Sequence, residues 1–160
     1  MSEEKPAPII ITPEPVTVRL SPLGFQMWAT QFLQAARAVE ETGSFSPVRY
    51  FLACRSIELA LKAYLLARGH SPMSLKNSMG HDLCKALAKA QDESLADVVA
   101  LTDAESEVVK SANSLYRSKR FEYFEVLDAV RGFPNRPDMV LLLHVAERLA
   151  LGVHRTCMEA

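Results

Sequence analysis

The chain has 160 residues, 49% of them hydrophobic and 23% charged, which is length and apolar content enough for one domain with its own core. A formal net charge of −1 excludes an overall positive field that would draw it to nucleic acid or an anionic membrane, while leaving room for a local basic site. Cys54, Cys84 and Cys157 stand at wide spacing with no CxxC pair and no zinc-finger ladder, so free thiols in a reducing, cytoplasmic setting are expected.

Residues 1–20 carry Pro6, Pro8, Pro13 and Pro15 among Ser, Glu and Lys. Prolines that dense break helix and sheet alike, so a disordered or extended tail is expected before a domain over 21–160. No signal-peptide pattern opens the chain, and no apolar run approaches a membrane span. Ser21-Pro22 then signals a helix start, a capping hydroxyl followed by proline at the first helical position. Phe25, Trp28, Phe32, Ala36 and Val39 recur at three- and four-residue spacing and predict an amphipathic helix that stops near Gly43.

Ser46-Pro47 repeats the start signal and Gly69 supplies the stop, which predicts a second helix over 47–68. Tyr50, Leu52, Ile57, Leu59, Leu61, Tyr64, Leu65 and Leu66 point in every direction on its wheel, which belongs in the middle of a bundle. Its one polar stripe is Arg55, Glu58 and Lys62, within about 60° of each other at 100° per residue. Residues 70–79, with Pro72, read as a loop. A third helix is expected from about Gly80, with Leu83, Leu87 and Ala90 on its apolar face. The capping-box spacing of Thr102 and Glu105 predicts a fourth, running to about Tyr116. Residues 118–134 are less regular and end in Gly132 and Pro134. A last helix is expected from near Pro137 almost to the C-terminus, with Leu142, Val145, Ala146, Leu149 and Val153 facing the core. The sum is an all-α, up-and-down bundle of four to five helices.

Four groups of side chains are candidates for chemistry. The stripe Arg55–Glu58–Lys62 reads either as the polar edge of a binding groove or as an ion-paired surface seam. His81, beside Asp82 at the start of the third helix, reads as a loop-pinning histidine. A metal shared with Cys84 would lack further ligands at recognisable spacing, so no metal or cofactor is expected. The segment 116–124 places Arg117, Lys119 and Arg120 among Tyr116, Phe121, Tyr123 and Phe124. Its cations suit phosphates and its rings suit bases, but the same rings suit docking onto the bundle. On the last helix, His144, Arg148 and Arg155 share one side, while His154 lies about 120° round from Arg148. Those two do not converge within one chain on a straight helix.

The stretch 50–90 resembles the HEPN superfamily (higher eukaryotes and prokaryotes nucleotide-binding). The run RSIELALKAYLLARG with Glu58 and Lys62 carries the resemblance, followed by Gly80-His81-Asp82-Leu83 and a further amphipathic helix. The resemblance implies a compact, commonly dimeric helical bundle. It also implies a nucleotide- or RNA-binding function, and in many members a metal-independent endoribonuclease, often a toxin paired with a nucleotidyltransferase-like antitoxin. The Arg and His of the active members, four to six residues apart, correspond to Arg148 and His154. There His154 would act as general base on a ribose 2′-hydroxyl and Arg148 would stabilise the charge on the phosphate, in a site completed across a dimer. Leu149 stands where active members carry a polar residue directly after the arginine. The leading expectation is therefore a HEPN-like binding or interaction module, with the toxin-like ribonuclease as the alternative.

Overall fold

The structure, a computed structural model, describes residues 20–40, 45–123 and 135–160. The expected tail, the stop at Gly43, Phe124, and the break at Gly132 and Pro134 lie outside the described residues. Among those residues there are seven α-helices, one 3₁₀ turn and no strand. The helices are α1 (Pro22–Ala38), α2 (Pro47–Ala67), α3 (Pro72–Met79), α4 (Leu83–Asp92), α5 (Asp103–Arg117), α6 (Met139–Gly152) and α7 (His154–Glu159), with the 3₁₀ turn at Leu95–Asp97. The fold is an all-helical bundle, and its five longer helices, α1, α2, α4, α5 and α6, are the five expected from apolar periods and start signals.

Three helices start by the same device. The hydroxyls of Ser21, Ser46 and Ser71 accept from the backbone N–H three residues on, at 3.1, 3.3 and 3.1 Å, each with proline opening the helix. The third makes α3, so residues 72–79 are not the loop the sequence suggested. Its single buried residue, Leu75, leaves no apolar period to read. At the end of α2 the His70 N–H reaches the Leu65 carbonyl and the Gly69 N–H the Leu66 carbonyl. That double closure turns Gly69 to φ +97°, a conformation open to glycine without strain.

Helix α2 runs through the middle and packs against α1, α4, α5, α6 and α7. Every residue from 56 to 66 is buried, so three turns are enclosed on all sides. Ile57, Leu61 and Leu65 are fully buried, and each such side chain contributes about 1.5–3 kcal/mol relative to exposure. Helix α1 lies antiparallel to α2: Ser56 Oγ donates to the Ala29 carbonyl (2.7 Å) and Arg49 Nε to the Ala36 carbonyl (3.1 Å), so the two chains advance in opposite senses. The last helix is interrupted at Val153, which separates α6 from α7. At the break, Gly152 sits against Val99, with no room for a Cβ. No helix among the described residues is long and apolar enough to cross a membrane.

Candidate functional site

Glu58 is the centre of the most polar part of the core. Its side chain is 1% exposed, yet all of its hydrogen-bonding capacity is met. Oε1 accepts from Lys62 Nζ (2.6 Å) and Arg55 Nη1 (3.0 Å), and Oε2 from the Tyr116 hydroxyl (2.5 Å) and His81 Nδ1 (3.1 Å). Burial by itself would push this carboxyl up. The Arg55 and Lys62 charges, with hydrogen bonds from Lys62 and Tyr116, outweigh burial and hold it below the usual carboxylate value. His81 Nδ1 also lies 3.4 Å from Arg55 Nη1; the shorter approach to Glu58 is a hydrogen bond when the proton is on Nδ1, since an ionised carboxylate only accepts. Burial and the Glu58 charge push the Tyr116 phenol far up, which makes it a fixed donor.

The turn between α3 and α4 is welded onto this centre. The Gly80 carbonyl accepts from Lys62 Nζ (2.6 Å), and Gly80 adopts φ +55°, ψ −117°, a region only glycine enters cheaply. Asp82 is the N-cap of α4, one residue outside the helix. It accepts from the Lys85 N–H and from Asn113 Nδ2, both at 3.1 Å, and lies 3.4 Å from Arg117 Nη1. Asn113 in turn accepts from the Leu83 N–H at 2.8 Å. The Gly80–Leu83 motif is therefore a polar joint between α2, α4 and α5. Every buried side-chain nitrogen and oxygen among the described residues has a hydrogen-bond partner, as a stable polar core requires.

A cleft of about 300 Å³ opens on this joint. Among the described residues, Arg55, Lys62 and Lys76 line it with His81 and one carboxylate, Glu58, and Phe25, Leu59 and Leu75 supply apolar wall. The structure thus brings together Arg55, Glu58, Lys62 and His81. Arg117, exposed at the end of α5, borders them through Asp82. Sequence reading missed Lys76 and Leu75 because α3 was read as loop; the Ser71-Pro72 start signal was present to find it.

The basic-aromatic segment divides by role. Tyr116 and Phe121 are buried, Phe121 stacking on Tyr50 with ring centroids 5.5 Å apart, so these rings dock the segment onto the bundle. Lys119 and Tyr123 are exposed on the turn after α5, and Arg120 is half-buried there. None of the three is among the residues that line the Glu58 cleft.

Arg148 and His154 face different neighbours. Arg148 Nη1 bonds both oxygens of Glu105 (2.6 and 2.5 Å), and Nη2 bonds the Ala100 carbonyl (2.7 Å). Glu105 also completes the capping box of α5 with Thr102, and His144 Nε2 lies 3.6 Å from it. Burial raises the Glu105 carboxyl, but Arg148 and Thr102 outweigh it and hold it below its usual value. His154 meets α1 instead, its Nδ1 3.1 Å from Gln26 Oε1. Within one chain the pair sits on successive helices, Arg148 on α6 turned to α5 and His154 at the start of α7 turned to α1. Arg155 pairs with Glu159 in solvent.

Cys54 and Cys157 are buried and Cys84 is half-buried, all as free thiols. Burial pushes each thiol up, Cys157 to about 11, so none is an activated nucleophile. Among the described residues no three His, Cys, Asp or Glu side chains converge as a metal site. No protein-family model, curated protein or solved structure was found to match the chain.

Proposed function

We propose that this protein is a HEPN-like binding module whose cleft between α2, α3 and the α3–α4 turn takes the phosphate of a nucleotide or an RNA. One observation carries the reading: among the described residues three cations line that cleft against one carboxylate, and that carboxylate already has four hydrogen-bond partners. An arriving anion meets a surplus of positive charge. Lys62 spends two of its three N–H donors on Glu58 and Gly80, and Arg55 carries further N–H groups beyond the one on Glu58. The apolar wall of Phe25, Leu59 and Leu75 suits the unphosphorylated part of such a ligand.

An endoribonuclease on Arg148 and His154 would have to free Arg148 from Glu105 and the Ala100 carbonyl, and draw a histidine from a second chain. The binding reading needs neither step. A homodimer belongs to the same HEPN-like reading, and a nucleotidyltransferase-like antitoxin belongs to its toxin form.

Calorimetric titration with mononucleotides and a short single-stranded RNA tests the proposal, beside Lys76→Glu, an exposed position outside the Glu58 network. Binding should weaken with added salt and again in the variant, since both remove phosphate–cation attraction. Absence of binding at millimolar ligand, or an affinity indifferent to both changes, would overturn it.

A further inference from the structure

A second cleft, of about 470 Å³, lies between α1 and the α6–α7 junction, with Gln26, Thr30, Gln31, Gln34 and His154 among its lining residues. Gln26 is buried, and its partners distinguish the two ends of its amide. The Ala150 carbonyl only accepts, so the amide nitrogen faces it, at 2.8 Å. The same nitrogen reaches Thr30 Oγ1 at 3.2 Å, while the Thr30 hydroxyl donates to the backbone carbonyl of Gln26. Oε1 is thereby turned to His154 Nδ1 at 3.1 Å. An amide oxygen donates nothing, so Nδ1 must hold the proton. The neutral imidazole is fixed as the Nδ1–H tautomer, and Nε2, on the other side of the ring from Gln26, is a bare acceptor.

Among the described residues, the lining contains no Lys, Arg, Asp or Glu. That sets it apart from the cationic cleft on α2 and makes it a poor phosphate site. Its polar groups are amides, one hydroxyl and one imidazole, flanked by Met27 and Leu151 as apolar edges. We infer that this cleft is a second ligand site, taking an uncharged ring ligand whose N–H or O–H donates to His154 Nε2. The amides of Gln31 and Gln34, which both donate and accept, meet the ligand's other polar edge, and Met27 and Leu151 cover its face. A nucleobase N–H and a sugar O–H share this chemistry.

Nitrogen-15 spectra of the histidine rings in the full chain report the tautomer directly. At alkaline pH, His154 should show a protonated Nδ1 and an unprotonated Nε2. Titration with uridine, uracil and ribose then separates the two ligand sources. Uridine and uracil shift Nε2 if the base donates; uridine and ribose shift it if the sugar does. Gln26→Ala should release the tautomer to a mixture, but Gln26 is buried and bridges α1 to α6, so that variant risks the fold. Gln31→Ala with Gln34→Ala, both at exposed positions, should keep the melting temperature and weaken the ligand several-fold. An Nε2–H tautomer in the free protein overturns the inference. So does an Nε2 signal unmoved by all three ligands, or an affinity unchanged in the double variant. None of the three ligands carries phosphate, so failure here and failure of the α2 cleft are read separately.

Discussion

Replacing Glu58 by glutamine keeps the shape of the side chain and removes the charge on which four donors converge. Removing one partner from a buried ion pair costs about 3–5 kcal/mol, because the other charge is left uncompensated. The side chains of Arg55 and His81 are 29% and 57% exposed and can turn to water, whereas that of Lys62 is only 11% exposed. The stranded charge is therefore Lys62 alone, which places the loss at about 3 kcal/mol. For a chain of this length that is a fall in melting temperature of roughly 6–12 °C. The pH dependence has a definite sign. Burial pushes the folded Glu58 carboxyl up, but Arg55 and Lys62 bring it below the ordinary 4.5. In the unfolded chain it returns to that value, so the unfolded state binds more protons. The Glu58 contribution is complete above pH 4.5 and is lost as pH falls through the lower folded value. Urea unfolding followed by circular dichroism should show the gap between wild type and Glu58→Gln at neutral pH and its narrowing in acid. A loss below about 1 kcal/mol at pH 7, or a gap that stays constant into acid, would refute the reasoning.

Other substitutions probe the remaining joints. Tyr116→Phe deletes one donor to the charged Glu58 carboxylate without changing packing and should cost about 1.5–3 kcal/mol in the same urea assay. Arg148→Ala leaves the buried Glu105 and the Ala100 carbonyl short of a donor, with an expected loss of about 1–3 kcal/mol. Its nucleotide affinity should match wild type by calorimetry, because Arg148 is remote from the α2 cleft in its contacts. In Gly152→Ala the new Cβ would stand 2.2 Å from Val99 Cγ2, and this overpacking should lower stability by about 1–3 kcal/mol in thermal unfolding.

The features legible in the sequence are those whose cause is local. The apolar wheel of α2 announced a central helix, and residues 56–66 are indeed wholly buried. The Ser21 and Ser46 caps and the Thr102–Glu105 box were read correctly because each motif fits within four residues. Helix α3 escaped because eight mostly polar residues carry no period, although Ser71-Pro72 repeats the pattern recognised twice upstream. For the site, the stripe Arg55–Glu58–Lys62 was visible as spacing on one helix. Its meaning was not, because it depends on His81 and Tyr116, 23 and 58 residues beyond Glu58. The Arg148–His154 pair shows the converse. Its spacing matched a motif, but helical geometry already set the two apart, and each has a partner of its own on α5 or α1.

The proposed entry of phosphate-bearing ligands is the cleft between α2, α3 and the α3–α4 turn. A residue-by-residue map of amide shifts during titration with a mononucleotide tests it most directly. Binding there should gather the shifts at Arg55, Lys62, Lys76, Gly80 and His81, reduced by salt. Shifts gathered instead on the turn around Lys119 and Tyr123, or no shifts at millimolar nucleotide, would contradict it.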